Sequence, residues 1–320
     1  MQKKKVEVFK IGEIPIMGDV ILAPMDGITD QPFRSIACEF GSVISYTEFI
    51  NAREVLSNIK LVKQKLVFTE AERPVAFQLY DDDPLRILDA ALRLMPYKPD
   101  ILDVNLGCSV KAVANRGAGA GLLKQPDSIR RAFELLTRTL NIPVTGKIRL
   151  GWDEDSLNYL EIARIIEGSG GKAIAVHART RQQTFNHPAR WEAIKEVKKA
   201  VKIPVIGNGD IRSPADIDRM IAETGCDAVM IGRGAIGNPW LLQRMDKTGL
   251  PLSDIIQVTM DHLNRSVKFY GPDIGVRRFR KFLKLYLAGI DLYPYRIQDL
   301  LSEDSIDILS KIIKNLESST

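Results

Sequence analysis

Hydrophobic and polar positions along this chain follow one repeating unit. From residue 20 onward, short β-branched runs end in glycine, asparagine or charged residues, and each is followed by a stretch with apolar residues at helical spacing. The runs predict strands over residues 20–25, 44–49, 75–80, 101–107, 144–150, 173–179, 205–210 and 228–234. The intervening stretches predict amphipathic helices over 32–40, 84–95, 127–140, 156–167, 191–201 and 214–223. Asp83 before Pro84 and Ser213 before Pro214 supply a capping side chain followed by a proline suited to the first helical turn. Strict alternation of strand and helix brings each strand back to the same edge, so the strands pair in parallel. Eight such units predict an α/β TIM (β/α)8 barrel; an open doubly wound sheet is the alternative.

Past about residue 245 the alternation stops. Helical periodicity continues over 253–270, 276–288 and 305–318, which predicts a small C-terminal all-α helical domain. The expected division is a barrel over 1–246 and helices over 251–320, joined by a linker at 247–251. The first residues, MQKKKVEVFKIGEIPI, alternate charged with apolar positions and lack the continuous apolar region of a secretory signal. No apolar run reaches membrane-spanning length.

In a barrel the residues that finish the strands form the rim where chemistry is done. Here the rim is polar: Pro24, Met25 and Asp26; Gln78; Asn105 and Cys108; Lys147 and Arg149; His177 and Arg179; Asn208, Gly209 and Asp210; Gly232, Arg233 and Gly234. The last two ends are glycine-rich turns leading toward helices, the arrangement that binds phosphate through backbone N–H groups, and Arg233 adds a fixed charge. Lys147 suits either charge stabilisation on a conjugated ring or a Schiff base. His177 reads as a ligand contact or a satisfied core histidine. Cys108 has three available roles: thiolate nucleophile, metal ligand, or general acid that keeps its proton near neutrality, the last being the least demanding. The passage at 109–123 is rich in Gly and Ala, which predicts a loop that lets another molecule approach the backbone.

Composition narrows the setting. Three widely spaced cysteines, Cys38, Cys108 and Cys226, with no CxxC pair, argue against a disulfide scaffold or a metal site and fit the reducing cytoplasm. A net charge of +5 permits an acidic partner. Seven basic residues against one acid fall between Arg265 and Lys284. Arg277, Arg280, Lys281 and Lys284 share a helix face by spacing, with Phe279, Phe282, Leu283 and Tyr286 on another, so one face packs while the other is free to meet phosphates. The lysines at 3–5 are a weaker basic cluster.

Several motifs together resemble one family. LAPMDGITDQPFR (22–34), DVNLGC (103–108) with GAGAGLL (117–123), GKIRLGWD (146–153), HARTRQQ (177–183), GNGDI (207–211) and IGRGAIGNPW (231–240) are similar, in order, to those of the tRNA-dihydrouridine synthases, especially the bacterial B branch. The resemblance implies a cytoplasmic FMN enzyme that uses NADPH, or NADH, to reduce uridines of tRNA. It implies that Pro24, Met25, Asp26, Gln78, Lys147, His177, Asn208, Gly209, Asp210, Gly232 and Arg233 hold FMN. It further implies hydride transfer from flavin N5 to uracil C6, a proton from Cys108 to C5, and a flipped-out base held by Asn105 and Arg179. Arg277, Arg280, Lys281 and Lys284 are then expected on the tRNA backbone. Departures from the family pattern are Ser109 in place of a proline, His187 and Arg190 before Trp191, and Phe282 and Leu285 in the C-terminal part. A barrel isomerase or aldolase acting on a phosphorylated metabolite, and a non-catalytic tRNA-binding protein, are the competing readings.

Overall fold

The computed structural model describes residues 7–318, so the lysine cluster at 3–5 lies outside the described residues. Eight parallel strands form the barrel: β1 Val20–Leu22, β2 Ser45–Tyr46, β3 Val75–Tyr80, β4 Ile101–Leu106, β5 Val144–Arg149, β6 Ala173–His177, β7 Val205–Asn208 and β8 Ala228–Ile231. Their order is β1-β8-β7-β6-β5-β4-β3-β2. The Val43 N–H donates to the Val20 carbonyl at 3.1 Å, bringing the two ends of the sheet together. The eight predicted strands are all present, and most end earlier than expected because their last polar residues turn onto the rim. The second differs most. Thr47 Oγ1 accepts the Gln78 N–H at 3.2 Å, interrupting the ladder, and pairing to β3 resumes at Ile50–Asn51.

Around the barrel run α1 Gln31–Glu39, α2 Ala52–Ser57, α3 Pro84–Leu94, α4 Pro126–Thr139, α5 Tyr159–Gly168, α6 Trp191–Ala200 and α7 Pro214–Thr224. Asp83 and Ser213 cap α3 and α7 as expected, each accepting N–H bonds from the first turn. The pattern missed α2, which is only six residues long, and placed the start of α5 too early, where Glu154–Ser156 is a tight turn. It also missed an antiparallel hairpin, Phe9–Ile11 with Ile14–Ile16. Phe9, Ile11 and Ile16 pack with Ile21, Ile44, Tyr46, Ile101 and Ile206, beside the small Ala76, Ala173 and Ala228. The hairpin fills space those alanines leave inside the barrel, at the end opposite the rim.

The C-terminal segment contains α8 Leu252–Tyr270, α9 Pro272–Tyr286, α10 Ile297–Ser302 and α11 Ile306–Ser318. Lys247, in the expected linker, donates to the Leu285 and Tyr286 carbonyls at 2.8 and 2.5 Å, satisfying acceptors at the end of α9. Helix α8 packs on α1 through Phe33, which stacks on His262 at 5.5 Å and meets Phe282 at 5.1 Å. Arg265 reaches Ser35 and Glu39, and Tyr270 donates to Asp30 at 3.0 Å.

His262 sits fully buried among Phe33, Phe279, Phe282 and Tyr286, with Nδ1 3.1 Å from the Tyr286 hydroxyl and no partner for Nε2 among the described residues. Burial, aided by Lys281 and Arg265, pushes its pKa down to about 3. The imidazole is therefore neutral when folded but takes a proton below about 6.5 when unfolded, so its stabilising contribution is full above pH 6.5 and lost as pH falls toward 3. Relative to His262→Phe, the wild type should lose about 1.4 kcal/mol of stability per pH unit in that window, measured by urea unfolding.

Candidate active site

The strand ends enclose a cavity of about 490 Å³, the size of a cofactor or ligand pocket. Pro24 and Met25 line it from β1, Gln78 from β3, Asn105 and Cys108 from β4, and Lys147 from β5. His177 and Arg179 follow from β6, Asn208, Gly209 and Asp210 from β7, and Gly232 with Arg233 from β8. The sulfur and the glycine-rich turns thus share one end of the barrel. Asp26 does not line the cavity; it pairs with Lys65 at 2.6 Å, because the chain turns away after Met25 to form the Thr29 turn.

The two glycine-rich turns touch each other. A side-chain carbon at Gly234 would come within 2.3 Å of the Ile211 carbonyl oxygen, so only glycine allows this approach. Gly209 and Asp210 both take positive φ, 131° and 57°, turning the backbone at the end of β7.

Lys147 is half-buried and donates to Asn208 Oδ1 at 3.0 Å; Asn208 Nδ2 in turn donates to the Met230 carbonyl at 2.7 Å. Burial, with Arg149 nearby, holds the lysine pKa down to about 8 against the opposing pull of Asp103. Burial and the cations Arg149, Lys147, Arg179 and Arg233 keep His177 well below the usual range, so it is neutral near pH 7. Its Nε2 lies 3.4 Å from Arg179, whose guanidinium only donates, so Nε2 is the acceptor and Nδ1 bears the proton.

Arg179 is 1% exposed, with one terminal nitrogen 2.7 Å from each Asp210 oxygen and Nε 2.7 Å from the His187 carbonyl. Its fork braces the β6 loop against the β7 turn. Arg233 lies over the Phe185 ring at 3.7 Å, and His177 stacks with the same ring at a centroid distance of 6.4 Å.

The backbone that carries the thiol is held from two directions. Asn105 Oδ1 accepts the Gly107 N–H at 3.0 Å and the Cys108 N–H at 2.8 Å, while the Cys108 carbonyl accepts the Ala120 N–H at 3.1 Å. Burial raises the Cys108 pKa, with the Val110 N–H and Arg149 opposing, so the sulfur keeps its proton at neutral pH. In the Gly- and Ala-rich passage Ser109 and Val110 line the cavity, while the glycines that follow turn inward. Gly119 takes φ 56° against Cys108, where an added carbon would lie 2.9 Å from the Cys108 Cβ, and Gly121 packs on the Ala114 carbonyl. These glycines fold the loop onto itself.

On α9 the predicted apolar face is buried: Phe279, Phe282, Leu283 and Tyr286 all face inward. The four cations of the other face do not act alike. Arg277 and Lys284 are exposed. Arg280 reaches the Ser302 and Glu303 carbonyls and Asp304, and so anchors the turn between α10 and α11. Lys281 is half-buried; its pKa is lowered by burial, against the charges of Asp30, Glu48 and Asp26 on the barrel rim. Phe282 lies in the His262 cage and Leu285 is 41% exposed.

Residues that line the site without having been assigned a role from the sequence include Arg149, Phe185 and Phe49. Arg149 follows Lys147 by two on β5 and so shares its side of the strand, a signal that was available. It donates to the Gly107 and Thr180 carbonyls at 2.9 and 2.7 Å. Phe185 had no such signal, since it comes from a loop. Among the described residues no group of three His, Cys, Asp or Glu side chains is placed to hold a metal ion, and no helix is long and apolar enough to cross a membrane.

The sequence matches the family described as dihydrouridine synthase (Dus) over residues 21–299. It is 36% identical over 293 residues to tRNA-dihydrouridine synthase B of Pseudomonas aeruginosa, covering 89% of this chain and 88% of that one. It is 36% identical over 315 residues to the probable tRNA-dihydrouridine synthase of Rickettsia bellii, covering 95% and 97%. Among solved structures the fold is similar to histamine dehydrogenase from Rhizobium sp. 4-9, with a TM-score of 0.58 and 13% identity over 80% of this chain and 50% of that one. It is also similar to an old yellow enzyme homologue from Zymomonas mobilis, with a TM-score of 0.53 and 10% identity over 76% and 92%.

Proposed function

The chain belongs to the dihydrouridine synthase family, and from that premise we propose that it reduces the C5=C6 bond of specific uridines in tRNA, with FMN as resident cofactor and NADPH, or NADH, as reductant. The observation that carries the reading is the half-buried, protonated Cys108 thiol on the wall of the same cavity as Lys147 and the two glycine-rich turns.

The donor set suits FMN. The turns at 207–211 and 231–234, with Arg233, match a phosphate; the Gln78 amide and the half-buried Lys147 cation match the polar edge of an isoalloxazine ring. When bound, FMN supplies hydride chemistry between the nicotinamide and uracil C6. The side chains do the rest. Cys108 releases its proton to C5 as the S–H bond breaks and the C–H bond forms. The remaining thiolate is stabilised by the Val110 N–H and by the charge of Arg149, then regains a proton from water. Asn105 borders the base position, and Arg179, whose fork is committed to Asp210, supports that wall as a brace. His177, neutral, shapes the pocket without adding charge. The isomerase or aldolase reading of Lys147 gives way to the family assignment.

For the polynucleotide, the helices after residue 251 are proposed as one contact surface, in a cytoplasmic protein. Lys124 and Arg181, which flank the Trp152 ring at 3.4 and 4.4 Å, offer cations and an aromatic face near the Cys108 loop. Arg277→Ala/Lys284→Ala should raise KM for tRNA and reduce the slope of log affinity against log salt by about one for each phosphate no longer neutralised, with kcat unchanged. Arg280→Ala should instead lower the melting temperature, since its partners are within the chain. The reading itself is tested by incubating the protein with FMN, NADPH and unmodified tRNA transcripts. Dihydrouridine should appear; a protein that takes up no FMN and yields none would sink it.

A further inference from the structure

The β4 strand carries a carboxylate that the chemistry above leaves without a role. Asp103 precedes Asn105 by two positions, so both side chains point into the barrel, Asp103 one layer deeper. It is 1% exposed. Its Oδ1 accepts the Thr145 hydroxyl at 2.5 Å and its Oδ2 accepts Gln78 Nε2 at 2.6 Å. Burial raises its pKa only to about 6, so it is ionised at neutral pH and can only accept.

That restriction propagates. An acceptor at Asp103 fixes Nε2 as the end of the Gln78 amide that faces it. Oε1 of Gln78 then faces Asn105, which answers with Nδ2 at 2.7 Å. Oδ1 of Asn105 is left toward the thiol loop, where it receives the Gly107 and Cys108 N–H groups. An amide has a donor end and an acceptor end, so reversing Gln78 would set its oxygen against the Asp103 carboxylate and its nitrogen against that of Asn105, and reversing Asn105 would set donor against donor beside Cys108.

We propose that Asp103 is a positioning residue that sets the direction of this Gln78–Asn105 relay and thereby holds Cys108 in place to deliver its proton. The catalytic half of this rests on the function proposed above; the structural half does not. The acceptor, not the charge, is what matters. Asn at 103 keeps an oxygen for Gln78 if the Thr145 hydroxyl turns to accept from the new amide, whereas Leu has nothing to offer.

The test has two arms. In cofactor-free protein, the rate of iodoacetamide modification of the Cys108 peptide is followed by mass spectrometry between pH 7 and 10. Asp103→Leu should free the loop, raise the rate at pH 8 at least threefold and move its pH midpoint down toward that of an ordinary thiol. Asp103→Asn and Thr145→Val should behave as wild type. Gln78→Met cuts the relay one step closer to the thiol and should reproduce the Leu result, which decides the matter should Asp103→Leu fail to fold. In the FMN-loaded protein, Asp103→Leu should slow tRNA-dependent reoxidation at least tenfold, with flavin reduction by NADPH and KM for tRNA within threefold of wild type. An unchanged Cys108 rate in both Asp103→Leu and Gln78→Met, or an Asn variant as impaired as Leu, would overturn the relay. A wild type that makes no dihydrouridine would remove the function proposed above while leaving the alkylation arm to judge the relay.

Discussion

Cys108→Ala should leave FMN bound and reducible by NADPH while dihydrouridine formation falls by about 10²- to 10⁴-fold, the range a positioned general acid contributes. The argument is one of proton inventory. Among the groups nearest the Cys108 loop, Arg149 is committed to the Gly107 and Thr180 carbonyls, and Asn105 is an amide with no proton to give at neutral pH. His177 is neutral and its Nε2 is turned to Arg179, so it offers no acidic proton either. Lys147, on the neighbouring strand, also carries a proton at neutrality but donates it to Asn208, which leaves the Cys108 thiol as the proton carrier on that wall. Stopped-flow traces of flavin reduction and of tRNA-dependent reoxidation separate the steps. The first should be unaffected and the second should nearly vanish. Reoxidation at the wild-type rate would remove the general-acid role of Cys108.

Much of this site was legible before any coordinates because barrel geometry converts strand ends into neighbours. Lys147 and Asn208 are far apart in the chain, yet both fall at the end of a β-branched run, and they form a hydrogen bond. What stayed hidden was side-chain allegiance. Arg179 reads as a free cation, but its fork is closed on Asp210, and spacing alone carries no information about which acid comes close in space. Arg280 is similar: helical spacing places it on a basic face, and only the return of the chain at Asp304 shows that it is tied. The N-terminal hairpin was missed because each strand is three residues long, too short for a period to register. Asp26 was placed on the rim as the end of the first predicted strand as well as by motif likeness, and the turn after Met25 takes it off the cavity.

Lys147→Met should reduce the rate of flavin reduction by NADPH by about 10²- to 10³-fold at saturating FMN, the loss found when one preorganised charge-stabilising group is removed. The methionine keeps most of the length of the side chain and removes the cation bonded to Asn208, so negative charge developing at the edge of the ring loses its partner. The pH dependence separates this from a packing effect. The pKa of Lys147 is held down to about 8, so the wild-type rate should decline from pH 7 to 9 with a midpoint near 8, whereas the variant rate should be flat there. Stability should move oppositely. A lysine whose folded pKa lies below its unfolded value of 10.5 destabilises the native state while protonated, and stability rises with pH between about 8 and 10.5 as the unfolded chain holds the extra proton. Lys147→Met should therefore unfold no earlier than wild type at pH 7 and lose its relative advantage as pH rises. A variant that is both slow and less stable at pH 7 would mean that Lys147 holds the barrel together and not the charge on the ring.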